Sequence, residues 1–191
     1  MQFPKGVEKG KIINKRLIGR LILLCTIFGF STFHLIALAD NSGAGPHPGL
    51  KPLDAAGSMQ ISKQDRCPMC AMQVSKYPNF VCAIQLVDGR TFYFCSAGCM
   101  IRAWMQPEIF LGTNKAALGQ TVVQDYFTGE QVSGGSVFWV SGSDVIGPMG
   151  PALVPLKSVA HLETFKRRHG AKTVFRLSEL TDANWKQLTG K

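Results

Sequence analysis

The sequence predicts an α+β chain: two tandem ββαβ modules preceded by an N-terminal helix that acts as signal peptide or membrane anchor. Three observations point there. The first 39 residues pass from a basic opening to an uncharged apolar run. Residues 65–130 alternate turn signals with short apolar strands around one helix-like stretch. Residues 131–191 repeat that order of elements without visible sequence identity to the first set.

Lys5, Lys9, Lys11, Lys15, Arg16 and Arg20 precede the run of residues 21–39, which ends Ala37-Leu38-Ala39 before Asp40. A basic start, an apolar centre and an A-x-A end are the parts of a secretory signal peptide. Cleavage after Ala39 is the expectation. The run also reaches the length of a bilayer span, so an uncleaved anchor is the alternative. Bulky Leu24 precedes Cys25 where a lipid-attachment cysteine would have a small neighbour. Either way the rest of the chain is expected in the periplasm or its equivalent, where thiols are bridged, metal-protected or in redox use.

The charge agrees with this division. The net charge is +9, but six of the 21 basic residues lie in the first twenty positions, against only one of the 12 acidic residues. The mildly basic remainder has no basic stripe, so nucleic acid is not expected as a partner. Residues 40–64, rich in glycine and proline, read as a flexible linker. His47 lies between two prolines there and reads as a solvated side chain.

In the first module, residues 80–87 are β-rich and Asp88-Gly89 is a hairpin turn signal. Residues 91–94 return as a second strand. Ser96 reads as an N-cap, with a helix over 97–106 stopped by Pro107. Residues 121–127 would add the third strand. In the second module, strands are expected over 136–141, 152–156 and 172–177. A helix over 158–169 carries Val159, Leu162, Phe165 and His169 on one face and ends at Gly170. A final helix over 178–188 carries Leu180 and Trp185. His161 and His169 read as ordinary helix residues.

The chemistry concentrates between Cys67 and Cys99, which hold five of the six cysteines. Cys67 and Cys70 form C-x-x-C, and Cys95 and Cys99 form C-x-x-x-C. A hairpin between the pairs folds one onto the other. Cys99 falls in the first turn of the expected helix, where thiolate is favoured over thiol. Four thiolates would suit zinc. Met69, Met72 and Met100 crowd the cysteines, however, and Met149 lies in a Gly/Pro-rich loop of the second module. Thiolate with thioether selects copper(I), so copper(I) is the expected ion and Zn2+ the alternative. The expected ligands are Cys67, Cys70, Met72, Cys95, Cys99 and Met149. Methionines also fill cores, a reading that suits Met69 and Met100 more than Met72 and Met149. Cys82, mid-strand, reads as core. Structural disulfides or a zinc-stabilised binding module are one alternative. A thiol–disulfide oxidoreductase is another, though the C-x-x-C does not open a helix. No hydrolytic motif is present and no enzyme is expected.

Certain runs carry a family resemblance: Arg66-Cys67-Pro68-Met69-Cys70-Ala71-Met72, then Val74-Ser75-Lys76-Tyr77-Pro78-Asn79, then Asp88-Gly89. The second half adds Asp144-Val145-Ile146-Gly147-Pro148-Met149-Gly150, Val154-Pro155, and a helix ending Phe165-x-x-x-His169-Gly170. Over residues 66–180 this resembles the NosL family of accessory proteins for nitrous-oxide reductase maturation. The resemblance implies an exported copper(I) chaperone of two ββαβ units. It would bind through sulfur and a histidine, with a copper-requiring client enzyme and its maturation machinery as partners. Met149 matches a copper-ligating methionine of the family, and Cys67, Cys70 and Met72 match its C-P-x-C-G-M. Pro151 stands where members often have histidine, and the usual lipoprotein signal is lacking. The pair Cys95/Cys99, absent from many members, resembles the second half of small metal-sensing knuckles. These departures imply that the site has moved to the first module's thiols, or that a second one has been added.

Overall fold

The computed structural model describes residues 50–191 together with the backbone of His47–Pro48, which pairs in parallel with Asp65–Arg66. The expected signal or anchor segment lies outside the described residues. Among those described, no helix is long and apolar enough to cross a membrane.

The first sheet holds β1 (Cys82–Leu86), β2 (Thr91–Phe94), β3 (Leu118–Gln124) and β4 (Gln131–Ser133). Its order is β2-β1-β3-β4, antiparallel throughout. The helix α1 (Ala97–Met105) joins β2 to β3. Ser96 caps it by accepting from the Cys99 N–H at 3.4 Å, which satisfies one of the orphan donors of the first turn. Met100, Ile101 and Ala103 are fully buried beneath it, and Pro107 opens a separate short helix, Pro107–Phe110.

The second sheet holds β5 (Phe138–Ser141), β6 (Val154–Leu156) and β7 (Thr173–Phe175), in the order β6-β5-β7 and again antiparallel. Its helix, α2 (Val159–His169), is capped by Ser158, which accepts from the His161 N–H at 3.1 Å, and ends at Gly170. Alternation along β5 sends Trp139 and Val140 to opposite faces. Trp139 joins the large core shared with the first sheet, while Val140 packs with Leu162 and Phe165 under α2. One apolar core therefore crosses from one sheet to the other.

Several expectations are corrected. The third strand of the first sheet ends at Gln124, not 127, because the Asp125 carboxylate accepts from the Phe127 and Thr128 N–H groups and turns the chain. The stretch read as a linker is held to the fold at separate points within residues 50–64. Leu53 and Met59 are buried, and the Tyr93 hydroxyl donates to the Lys51 carbonyl at 2.8 Å and accepts from the Gln60 N–H. Two apolar side chains and an internal tyrosine suffice to hold it down. Val159 is 61% exposed, since it occupies the first position of α2 and the buried stripe begins one turn later. The final helix is broken in two: a single turn at Leu177–Glu179, then α3 (Trp185–Thr189). Reciprocal hydrogen bonds between Thr181 and Asn184 restart the chain between them.

Candidate metal centre

Cys67 to Met72 form a tight knuckle. The Cys67 N–H donates to the Met72 carbonyl at 2.9 Å, and the Ala71 N–H donates to the Cys67 carbonyl at 2.8 Å. This closure places Ala71 at φ 61°, the one non-glycine residue with positive φ among those described. The knuckle is stitched shut by an antiparallel bridge between Arg66 and Gln73. Both its thiols therefore face the end of the β1–β2 hairpin. Cys95 leaves β2 at that same end, and the Ser96 cap turns Cys99 back towards it.

The result is a four-sulfur cluster. The Sγ atoms of Cys67, Cys70, Cys95 and Cys99 all lie within 4.8 Å of one another. Cys70 and Cys95 are 3.4 Å apart, Cys70 and Cys99 4.0 Å. A tetrahedron with metal–sulfur bonds of about 2.3 Å has edges of about 3.8 Å, so the spacing fits a soft ion without movement of the backbone. Cys67, Cys95 and Cys99 are buried and Cys70 is half-buried, and none is bridged.

The thiols are electrostatically unequal. Cys95 and Cys99 donate to the Cys67 sulfur, and against the opposing cost of burial these bonds hold its thiol well below the ordinary range. The N–H groups of Cys95 and Met69 add to the effect. Donation to Cys67 correspondingly raises Cys95, and raises Cys99 to about 12. The negative charge rests on Cys67, which is thereby prepared as the first ligand. Cys82 is buried in the core as expected, but as the first residue of β1 rather than mid-strand; burial pushes its thiol up, and that thiol donates to the Phe80 carbonyl at 3.4 Å.

The methionines divide. Met100 is fully buried in the core. Met69 and Met72 are partly buried against it. Met149, 45% exposed, sits at the tip of a two-residue-stranded hairpin, Ile146–Gly147 against Gly150–Pro151. That hairpin brings it to the cluster: Met69, Cys99, Arg102, Met149, Trp185 and Lys191 line one open cavity of about 280 Å³, closed on a further side by Gly98. Met72 is not part of that lining. The structure thus unites the four cysteines and places Met149 and Met69 with Cys99 on the wall of one cavity.

The histidines form a separate group. His161 Nδ1 lies 3.0 Å from Asp125 Oδ1, and His169 Nδ1 lies 2.9 Å from Asp144 Oδ1. The Tyr126 hydroxyl is 3.4 Å from His169 Nε2. Asp125 is buried and was not singled out by the sequence, although Asp125-x-x-Thr128-Gly129 carries the signal of a side-chain-closed turn.

Comparison with known proteins fits this arrangement. The family model described as NosL matches residues 58–185. A crystal structure of the copper chaperone NosL from Shewanella denitrificans superposes with a TM-score of 0.57 at 19% identity, covering 66% of this chain and 96% of that one. A solution structure of the apo-NosL protein from Achromobacter cycloclastes is 23% identical, with a TM-score of 0.40 over 53% of this chain and 86% of that one. A search of curated protein sequences finds no match. With a family model covering more than half of its length, the chain belongs to the NosL family.

Proposed function

We propose that this protein is an exported, non-enzymatic carrier that receives copper(I) on the Cys67/Cys70/Cys95/Cys99 cluster and passes it to a copper enzyme of the same compartment. By family resemblance the client is nitrous-oxide reductase. The observation that carries the reading is the convergence of four sulfurs at one point with the Met149 and Met69 thioethers on the adjoining cavity wall. Copper(I) favours such ligands and moves between them by substitution. Each incoming thiol loses its proton to form a bond, a departing ligand regains one, and no electron is transferred. Membership of the NosL family, whose solved structures include the copper chaperone NosL from Shewanella denitrificans, supports the same cargo. Met72 and Met149 are proposed to complete the sulfur set when ligands exchange. We further infer that residues 1–39 direct export, cleaved or retained as an anchor, and that the described chain is two ββαβ units. Strands β1–β3 and β5–β7 share one order, with the first of each three lying between the other two and β4 added at the edge of the first sheet, which supports that division.

A zinc-filled centre is the second reading, favoured by four thiols, three of them on buried residues, gathered within 4.8 Å of one another, the ligand number and type of a structural zinc site. Anaerobic purification followed by copper(I) loading and metal analysis separates them. Expected is about one copper(I) per chain that withstands competition from zinc and is handed on to an acceptor. A protein that retains zinc and refuses copper overturns the carrier reading.

A further inference from the structure

The knuckle that presents Cys67 and Cys70 occurs a second time. Fifty-eight positions on, the Asp125 N–H donates to the Glu130 carbonyl at 2.9 Å and the Gly129 N–H to the Asp125 carbonyl at 2.8 Å. These are the two closing bonds of the first knuckle, with the same donors and acceptors in the same order. Gly129, at φ 67°, takes the place of Ala71 at φ 61°. The flanking pair Gln124 and Gln131 takes the place of Arg66 and Gln73.

The correspondence extends to the other two ligands. Cys95 follows Phe94, the partner of Cys82 in register, and Lys157 follows Leu156, the partner of Phe138. Ser96 caps α1 through the Cys99 N–H, and Ser158 caps α2 through the His161 N–H. The contacts around the leading residue are also repeated. The thiols of Cys95 and Cys99 and the N–H groups of Cys95 and Met69 donate to the Cys67 sulfur; all but the Cys95 thiol have a counterpart. The N–H groups of Phe127 and Lys157 donate to the Asp125 carboxylate at 3.2 and 2.8 Å, and His161 Nδ1 reaches it at 3.0 Å.

We infer that Asp125, Thr128, Lys157 and His161 are the positional counterparts of Cys67, Cys70, Cys95 and Cys99, forming a second ligand scaffold that accepts a tetrahedral transition-metal ion once thiols are placed in it. In this chain the scaffold is closed from within. The Thr128 hydroxyl donates to Asp125 Oδ2 at 2.9 Å, His161 occupies the opposite oxygen, and the Lys157 ammonium turns outward to Glu130. A fixed carboxylate anion stands where the first knuckle holds a thiolate, and hydrogen bonds do the joining that a metal ion does between sulfurs. A backbone that gathers donors around an anion serves either purpose.

The inference rests on the reading of the four thiols as a metal centre, and the test separates the two. The full chain is titrated anaerobically with cobalt(II), whose tetrahedral thiolate complexes absorb strongly, alongside the triple variant Asp125→Cys, Thr128→Cys, Lys157→Cys, which keeps His161. The unaltered chain should bind one equivalent and the variant two, with roughly twice the ligand-field absorption. One equivalent in both, with the variant folded, overturns the second scaffold and leaves the first centre standing. No cobalt in the unaltered chain overturns both. The reciprocal variant Cys67→Asp, Cys70→Thr, Cys95→Lys, Cys99→His covers the case in which the first fails to fold. It should melt cooperatively at a temperature indifferent to chelator. A reciprocal variant that is unfolded as well overturns the equivalence.

Discussion

The sulfur atoms of Cys70 and Cys95 lie 3.4 Å apart, although one belongs to the opening knuckle and the other to the end of β2. Without metal, Cys70 is therefore in contact with a thiol outside its own C-x-x-C pair. Mild oxidation of the metal-free protein should join Cys70 to Cys95 before Cys67 to Cys70, readable by peptide mapping under non-reducing conditions. Copper(I) loading should suppress the cross-link. A preference for Cys67–Cys70 would instead favour the dithiol redox chemistry of an oxidoreductase.

Metal uptake should release protons in a pattern set by the unequal thiols. Cys67 is held low by the thiols donating to it, while Cys95 and Cys99 are raised by that donation, Cys99 to about 12. At neutral pH the latter two must lose protons to bind, and Cys67 contributes none. Loading in a weakly buffered indicator solution should liberate protons, fewer by about one in Cys99→Ala. Affinity should fall as pH drops, since proton and metal compete for the same sulfurs.

Ala71 should be improvable. Its left-handed backbone costs an L-residue about 1–2 kcal/mol. Glycine would relieve that and return about 0.4–1 kcal/mol through the greater freedom of its unfolded chain. Ala71→Gly should therefore raise stability by up to about 1 kcal/mol, a Tm gain of a few degrees, measured on the metal-free protein. The family pattern has glycine at this place, and Gly129 occupies it in the second knuckle.

Asp125 should make the fold acid-sensitive. Burial pushes its carboxyl up, but the hydrogen bonds from His161, the Lys157 N–H and Thr128 together hold it below the usual carboxylate range. A depressed folded pKa contributes stability that is complete above about pH 4 and is lost as pH falls through the folded value. Asp125→Asn should weaken the protein by about 1–3 kcal/mol at neutral pH and flatten the acid limb of the unfolding curve below pH 4.

Met149 should matter for transfer more than for holding. Met149→Ile keeps the hairpin's bulk while removing the thioether. The proposed role expects copper(I) hand-over to slow about tenfold, while cobalt(II) binding by the four thiols is unchanged. Stopped-flow transfer to a chromophoric copper(I) chelator checks this.

Much of this was legible in the chain. β-rich runs marked β1, β2 and β5, Ser96 announced its helix and residue 158 opened the second, and Asp88-Gly89 set the hairpin that gathers the cysteines. Cys82 packs in the core as expected. What the sequence hid was long-range or local-chemical. Nothing in the order of residues says that Met149 lies on the cavity wall with Cys99, because a hairpin of two residues per strand decides it. Leu53 and Met59 are too sparse among glycines and prolines to signal a docked segment. The second knuckle was invisible because each ligand position had changed chemical type, leaving only backbone hydrogen bonds and a glycine to mark it.

The partial exposure of Cys70, beside three buried partners, has a consequence for traffic through the centre. Of the four sulfurs this one is the most open to an incoming acceptor, so its bond to the ion is the first to be given up and the last to be remade. The order of ligand departure is then written into the packing.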